Sequence, residues 1–416
     1  MSLLTSATRM WLTRAVKPFN FTDRFDSQLD YSGARGLGLY VHMPFCRRLC
    51  GFCPYCKELF SREKADRYLD ALLAEIQLVC EKQPRRQASS LYFGGGTPAL
   101  LADRLGEVIS ALEKHFDIRE GIGVELHPDN VNVKTLTVLK EAGVTKISIG
   151  IQSFQPEFLN LLGRSSTDYR PLFEALAAVP FETVSMDFIF ALPGQTLELI
   201  QRDLETAFFN GANHAALYPF IDFSFTRRDF VPMDRRDKRR LLDGLTAWCA
   251  ERGWRRDSIW TWGKGPESRY SSMTRENFLG FGCSATTLLR DQFKINTFDL
   301  EEYCRRIAGG RLPTALTCRF TERQRMVYWL FWSAYTTAVD EDAFFRFFGK
   351  SLDSQYGGEL RLARRLGLVE KDGTLWRMTA RGAWYYHYYE GFYTLSYIDK
   401  MWSLLGRTAF PKELKL

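Results

Sequence analysis

A chain of 416 residues with 45% hydrophobic, 25% charged and 14% aromatic residues carries enough apolar mass to bury a core. That excludes a disordered or fibrous chain and points to two domains. No apolar run reaches the roughly 20 residues that span a bilayer, so a membrane-spanning role is excluded and a cytoplasmic protein is expected. The net charge of +7 suits an anionic substrate or an acidic partner, but the basic residues are spread along the chain, which argues against nucleic acid.

The first segment, MSLLTSATRMWLTRAVKPFNF, holds Arg9, Arg14 and Lys17 and no acidic residue. A transit peptide or a membrane-surface helix would have this character, and the simpler expectation is an arm over residues 1–36 packed on the body. From residue 37 short apolar runs alternate with helical patterns. LGLYVHM (37–43), SLYFGG (90–95), GIGVEL (121–126), TKISIGIQ (145–152), TVSMDFIFAL (183–192) and HAALYPF (214–220) read as strands. Between the first two, Ala65, Leu69, Leu72, Leu73, Ile76, Val79 and Cys80 fall on one helical face. VKTLTVLKEAG (133–143) reads as a helix closed by Gly143.

About six such units with near-continuous apolar strands predict an α/β fold, an incomplete (β/α)6 TIM-like barrel, over residues 37–225. Residues 226–320, with the basic run DRRDKRR (234–240), read as a barrel extension and connecting region. Residues 321–416 predict a mainly helical, winged-helix-like domain with a hairpin turning at Asp372-Gly373. Its neighbours Trp384, Tyr385, Tyr386, Tyr388, Tyr389, Phe392 and Tyr393 suit an aromatic packing face or substrate lid better than a DNA-reading helix.

Four of the nine cysteines crowd into YVHMPFCRRLCGFCPYCKELF (40–60). Cys46, Cys50 and Cys53 have the spacing C-x3-C-x2-C in a loop just after a predicted strand, and soft thiolates suit an iron–sulfur cluster or zinc. Three close cysteines suffice if one iron must stay open to a non-protein ligand. With Cys56 included, a four-cysteine structural zinc knot is the competing reading. The remaining cysteines, Cys80, Cys249, Cys283, Cys304 and Cys318, are scattered and read as small core residues, although Cys283 in GFGCSA has a place from which it could face a cavity.

LYVHMPFCRRLCGFC resembles the signature of the radical S-adenosylmethionine superfamily, in the form found in oxygen-independent coproporphyrinogen III oxidase and its relatives. YFGGGTP (92–98), Glu125 in VELHPDN, KISIGIQSF (146–154), LGR (162–164), DFIFALPGQT (187–196) and ESRYSSMTRENFLGFGCSA (267–285) follow in the same order. The resemblance covers about residues 30–300. It implies a [4Fe–4S] cluster on Cys46, Cys50 and Cys53, with the open iron chelated by S-adenosylmethionine, and one or two molecules of that cofactor. Reduction of the cluster would cleave the sulfonium to methionine and a 5′-deoxyadenosyl radical.

The resemblance further implies that Tyr40 lies near the cluster, that Phe52 and Ile189 sit by the adenine, and that Gly94, Gly95, Gly96 and Thr97 meet the amino-acid end of the cofactor. Glu125, Gln152, Arg164 and Asp187 would be polar ligands for its ribose or methionine moiety. Two departures stand out: Tyr55 where the relatives have a further cysteine, with Cys56 one place later, and Ala191 where they have glycine.

Three functions follow as expectations. One is decarboxylation of a tetrapyrrole propionate, with Arg47, Arg48, Arg227, Arg228, Arg235 and Arg236 as cationic partners, against a solvated face for the 235–240 run. Another is a methyl or methylene transferase using a second S-adenosylmethionine, with Pro219, Phe220 and residues 280–285 bordering its site. The third is a haem-binding chaperone, for which one accessible histidine among His42, His115, His127, His214 and His387 would suffice. Tyr40, Cys56, His127 and Cys283 are the candidates for site chemistry; His42 reads as structural. The chemistry also implies a low-potential electron donor, flavodoxin or ferredoxin, and an anaerobic or microaerobic setting.

Overall fold

The computed structural model describes residues 3–16, 18–24, 31–264 and 276–416. The six predicted strands are present as β1 (Leu37–Met43), β2 (Leu91–Gly95), β3 (Ile122–Leu126), β4 (Lys146–Gln152), β5 (Thr183–Phe190) and β6 (His214–Pro219). They pair in parallel in chain order, with registers such as Leu39 with Leu91 and Ser185 with His214. Each is followed by helix, as a parallel pair requires a crossover. The apolar runs are near-continuous because helices cover their outward faces; β1 is buried at Leu37, Gly38, Leu39, Val41, His42 and Met43.

Side-chain caps start the helices: Ser61 accepts from the Lys64 N–H, Asn132 from Thr135 and Thr196 from Leu199. Gly143, at φ +91°, ends the helix Val133–Glu141 where a Cβ would be strained. The helix Arg62–Cys80 (α1) buries the expected stripe and adds Tyr68 and Glu75 to it, while Leu73 is only partly covered.

The sheet continues beyond the six strands. A seventh strand, β7 (Asn277–Phe281), runs parallel to β1, and Thr286–Leu289, Gln292–Asn296 and Thr314–Arg319 extend it antiparallel to Asn20–Thr22 and Glu413–Lys415. At the other edge β6 pairs with Thr261–Gly263. Among the described residues no pairing joins the two edges of the sheet.

The C-terminal region is mainly helical, with a three-stranded sheet of Ala338–Asp340, Leu375–Met378 and Val369–Asp372. Asp372 is the last paired residue of the hairpin, so the turn is Gly373-Thr374, one place later than expected, with Gly373 at φ +57°. A π-helical turn, Thr394–Ile398, carries the aromatic-rich helix Ala380–Tyr393 into Asp399–Leu405. Asp399 accepts hydrogen bonds from Ser224 N–H (2.6 Å) and Oγ (2.8 Å), which ties that helix to the loop after β6.

The helix Leu3–Thr13 lies against this region: Arg323 Nε donates to Leu12 O (3.2 Å) and Arg14 pairs with Glu359. Among the described residues no helix is long and apolar enough to cross a membrane. Residues 267–275 of the ESRYSSMTRENFLGFGCSA motif lie outside the described residues.

Candidate functional site

Along a strand alternate residues face the same side, so the inward set is fixed by parity. Tyr40 and His42 face inward from β1, Tyr92 and Gly94 from β2, Glu125 from β3, Ser148 and Gly150 from β4, and Ser185, Asp187 and Ile189 from β5. The hydrogen bonds follow that set. Glu125 accepts from Tyr92 OH (2.9 Å) and from Gly95 N–H (3.0 Å), and burial pushes its carboxyl above the ordinary value. Asp187 accepts from Ser148 Oγ (2.8 Å) and Ser185 Oγ (3.2 Å), and burial pushes it to about 7. Ser185 Oγ in turn lies 2.8 Å from Nδ1 of buried His214.

The cysteine loop rises from the end of β1. Gly96 N–H donates to Met43 O and Thr97 N–H to Phe45 O, both at 2.7 Å, so the end of β2 is laced to the corner from which Cys46 emerges. Thr97 Oγ1 lies 3.8 Å from Cys46 Sγ. Lys57 Nζ donates to the carbonyls of Cys50 (2.8 Å) and Cys53, clamping the loop around two of its thiols. Burial pushes the Cys46 thiol to about 11 and raises Cys53, against the opposing charge of Lys57. These thiols are protonated on their own; a cationic metal group would offset the cost of ionising them.

Backbone beside the loop leaves no room for side chains. A Cβ on Gly94 would meet Glu125 Oε1 at 3.0 Å and the rings of Tyr40 and Tyr92 at 3.1 Å. One on Gly95, at φ +111°, would meet the His42 ring at 2.4 Å. Across the barrel Gln152 sits at φ +70°, and Arg164 Nη1 donates to Gly150 O (2.5 Å). The buried Arg164 Nε has no hydrogen-bond partner among the described residues. Phe52 and Ile189 pack in one apolar cluster with Phe158, Leu162, Leu192 and Phe220. Glycine backbone, buried carboxylates, an arginine with unsatisfied hydrogen-bonding capacity and an apolar patch fit an amino-acid-bearing nucleoside beside a thiol-held metal group.

His127 stands at the end of β3, where its Nδ1 accepts from Asp129 N–H (3.3 Å). Burial first, then the charge of Arg164, lowers it to about 4, so it is neutral at neutral pH. Cys283 is fully buried behind the loop, with its Sγ 3.9 Å from Cys56 Sγ. It therefore turns to Cys56 and not to open space. The hydrogen bond with Cys283 draws the Cys56 thiol below its ordinary value, while burial holds Cys283 well above its own.

The arginines divide. Arg47 and Arg48 are exposed on the loop, and Arg227 N–H donates to Gly51 O (3.0 Å) beside it. Arg228 pairs with Asp222, Arg235 lies over Tyr388, and Arg239 and Arg240 pair with Asp243 and Asp237, as on a solvated helix face.

Sequence reasoning missed Tyr92, Ser148, Ser185 and Lys57, and it assigned His42 a structural part. Strand parity would have found the first three. Lys57 had no signal, because its role depends on how the loop folds back. His42 occupies the centre, with Nδ1 3.0 Å from Tyr40 OH and Nε2 3.0 Å from Cys56 O. An aromatic rim also escaped notice: half-exposed Tyr55 lies 5.6 Å from Trp402, and Tyr218 lies 5.9 Å from Trp260.

A family model described as the Radical SAM superfamily matches residues 40–207. Among curated proteins, the chain is 27% identical over 361 residues to the heme chaperone HemW of Bacillus subtilis, covering 82% of this chain and 95% of that relative. It is 26% identical over 326 residues to oxygen-independent coproporphyrinogen III oxidase of Pseudomonas aeruginosa, covering 70% of each. The solved structure of coproporphyrinogen III oxidase (HemN) from Escherichia coli, described as a radical SAM enzyme, aligns with a TM-score of 0.75 at 22% identity, covering 91% of this chain and 96% of that one. At that identity the likeness is one of fold.

Proposed function

We propose that this chain, whose residues 40–207 match the model described as the Radical SAM superfamily, is an enzyme that acts on a tetrapyrrole or a similarly flat, carboxylate-bearing substrate. The family's [4Fe–4S] cluster and S-adenosylmethionine supply, when bound, the electron and the 5′-deoxyadenosyl radical that begin such chemistry. The observation that carries the reading is the laced corner at the ends of β1 and β2, where the Cys46 thiol emerges beside glycine backbone that tolerates no Cβ, with Cys50 and Cys53 on the loop that follows.

In this proposal Cys46, Cys50 and Cys53 hold the cluster. Arg164, whose Nε has no partner among the described residues, receives the cofactor carboxylate; Glu125, Gln152 and Asp187 take its polar groups; Phe52 and Ile189 flank its adenine. Gly95, Gly96 and Thr97 give it close backbone, and Tyr40 closes the floor. His127, neutral at working pH, is available to accept a proton at the rim. The rings of Tyr55, Trp402 and Tyr218 offer faces for a flat substrate, and exposed Arg47, Arg48 and Arg227 offer charge to its carboxylates. A propionate that becomes a vinyl group gives one hydrogen atom to the 5′-deoxyadenosyl radical, releases carbon dioxide and passes one electron to an external one-electron acceptor. The electron for cofactor cleavage comes from a low-potential donor of the flavodoxin or ferredoxin kind.

A second reading, haem binding without turnover, is favoured by the name of the HemW relative. It requires an axial ligand. His42, His214 and His387 are buried, and His115 lies in the connection that precedes β3, which leaves His127, one-third exposed at the end of β3, as the histidine best placed for iron.

The test is anaerobic reconstitution followed by dithionite, S-adenosylmethionine and coproporphyrinogen III, with mass spectrometry of all products. Carbon dioxide loss from the porphyrin with 5′-deoxyadenosine supports the proposal. S-adenosylhomocysteine would turn it towards methyl or methylene transfer. Stoichiometric haem binding that disappears in His127→Ala, with no 5′-deoxyadenosine formed, would replace it with the chaperone reading.

A further inference from the structure

Behind the cysteine loop three soft or borderline ligands meet that the proposed cluster does not use. His42 comes from β1, Cys56 from the loop beyond Cys53, and Cys283 from the segment after β7. One ligand atom from each lies within 4.8 Å of the other two. From these residues we propose a second metal site, a Cys2His zinc site on Cys56, Cys283 and His42, distinct from the iron–sulfur cluster.

The spacing is that of a metal-bound pair. At a zinc–sulfur bond of about 2.3 Å, two thiolates of a tetrahedral site stand about 3.8 Å apart, and Cys56 Sγ and Cys283 Sγ are 3.9 Å apart. Closing the imidazole onto the same ion asks for a movement of about 1 Å from the 4.8 Å limit. Tyr40 OH engages His42 Nδ1, which leaves Nε2, on the Cys56 side, as the metal-facing nitrogen; it exchanges its contact with Cys56 O for the ion. An outer hydrogen bond of this kind fixes the ring of a metal-bound histidine.

The charge also closes. Two thiolates and one divalent zinc sum to zero, which suits a place where Cys283 is fully buried and His42 is 3% exposed.

The site is built, not incidental. Cys283 N–H donates to Tyr68 OH (3.1 Å), and Tyr68 OH donates to His42 O (2.6 Å), so one tyrosine on α1 pins both segments. Gly282, at φ +95°, permits this: a Cβ there would lie 2.3 Å from Tyr68 OH and 2.7 Å from His42 O. Glu75, accepting from Gly282 N–H (2.7 Å), holds the same turn from below. A zinc ion here would fasten the end of the cysteine loop to the seam between β1 and β7.

The test counts zinc and iron separately by mass spectrometry in the full chain, reconstituted anaerobically and dialysed with zinc. Wild type is expected to hold one zinc per chain besides the iron. Cys283→Ser and Cys56→Ser are expected to lose it while keeping the iron, with zinc binding weakened beyond the roughly 10- to 100-fold that loss of an outer-shell partner costs. Cys249→Ser, at a buried cysteine elsewhere, serves as control and keeps both metals. Cobalt(II) loaded into unmodified protein reads the ligands without substitution, through thiolate charge-transfer bands. No zinc in wild type, zinc retained in Cys283→Ser, or a Cys56–Cys283 disulfide in the anaerobic protein would overturn the site. Iron lost together with zinc in Cys283→Ser would overturn it too, assigning both cysteines to the cluster. Cys46→Ala separates the two metals: loss of its iron with zinc retained leaves the zinc site standing whatever the fate of the cluster reading.

Discussion

Replacing Gly96 by alanine probes the corner on which the cysteine loop rests. The added Cβ would meet Phe45 O at 2.6 Å, Met43 O at 2.8 Å and Pro44 C at 2.8 Å. All three are backbone, so no side chain can swing aside. Ordinary contact begins near 3.4 Å, so the Met43–Phe45 strand end must retreat by about 0.8 Å. Overpacking of this kind costs about 1–3 kcal/mol. Loss of the Gly96–Met43 and Thr97–Phe45 hydrogen bonds adds about 1 kcal/mol each if both break. Cys46 moves with Phe45, and a displacement near 1 Å at a reacting centre costs on the order of 100-fold in rate. The assay is 5′-deoxyadenosine formation beside urea denaturation followed by circular dichroism. Gly358→Ala is the control: that glycine is exposed in the helix Leu352–Arg365 with nothing near its would-be Cβ, so it should gain about 0.5–1 kcal/mol and keep full activity. A Gly96→Ala protein with wild-type rate and wild-type urea midpoint would refute the reasoning about the corner.

Glu75→Ala removes a fully buried acceptor for Gly282 N–H, Tyr303 OH (2.7 Å) and Asn296 Nδ2 (2.9 Å), and leaves fully buried Lys294 without its nearby carboxylate. It should cost about 3–5 kcal/mol, lowering a cooperative melting midpoint by roughly 3–5 °C; an unchanged midpoint would contradict this account of the buried pair. Asp187 titrates at about 7 in the folded chain, above its ordinary value, because burial disfavours its charge. The folded state then binds more protons than the unfolded one between about pH 4 and pH 7, so stability falls as pH rises through that window, by at most about 1.4 kcal/mol per unit. Asp187→Asn should flatten this slope in urea midpoints taken from pH 4 to 8, and an undiminished slope would exclude Asp187 as its source.

Much of the barrel was legible because its strands are buried on both faces: the runs at 37–43 and 146–152 announce themselves without any partner being known. The cysteine spacing was equally local. What escaped was set by distance along the chain. Glu75 lies on the same helical stripe as Leu72, Ile76 and Val79, so its burial could have been read from the period, but nothing near it announces Lys294, which comes 219 residues later. Cys56 and Cys283 are 227 residues apart, and only the parallel pairing of β7 with β1 brings them together. Tyr92, Ser148 and Ser185 are a different case. They share the strand parity of Tyr40, Glu125 and Asp187, and polar residues on that parity mark the inside of a barrel.

The most direct test of the central claim is 5′-deoxyadenosine production by anaerobically reconstituted wild type and Cys46→Ala, with dithionite and S-adenosylmethionine supplied and iron counted in each. The account predicts about four irons and 5′-deoxyadenosine from wild type, and loss of both in Cys46→Ala. Wild type that binds iron yet never cleaves S-adenosylmethionine, or Cys46→Ala that still does, would contradict it.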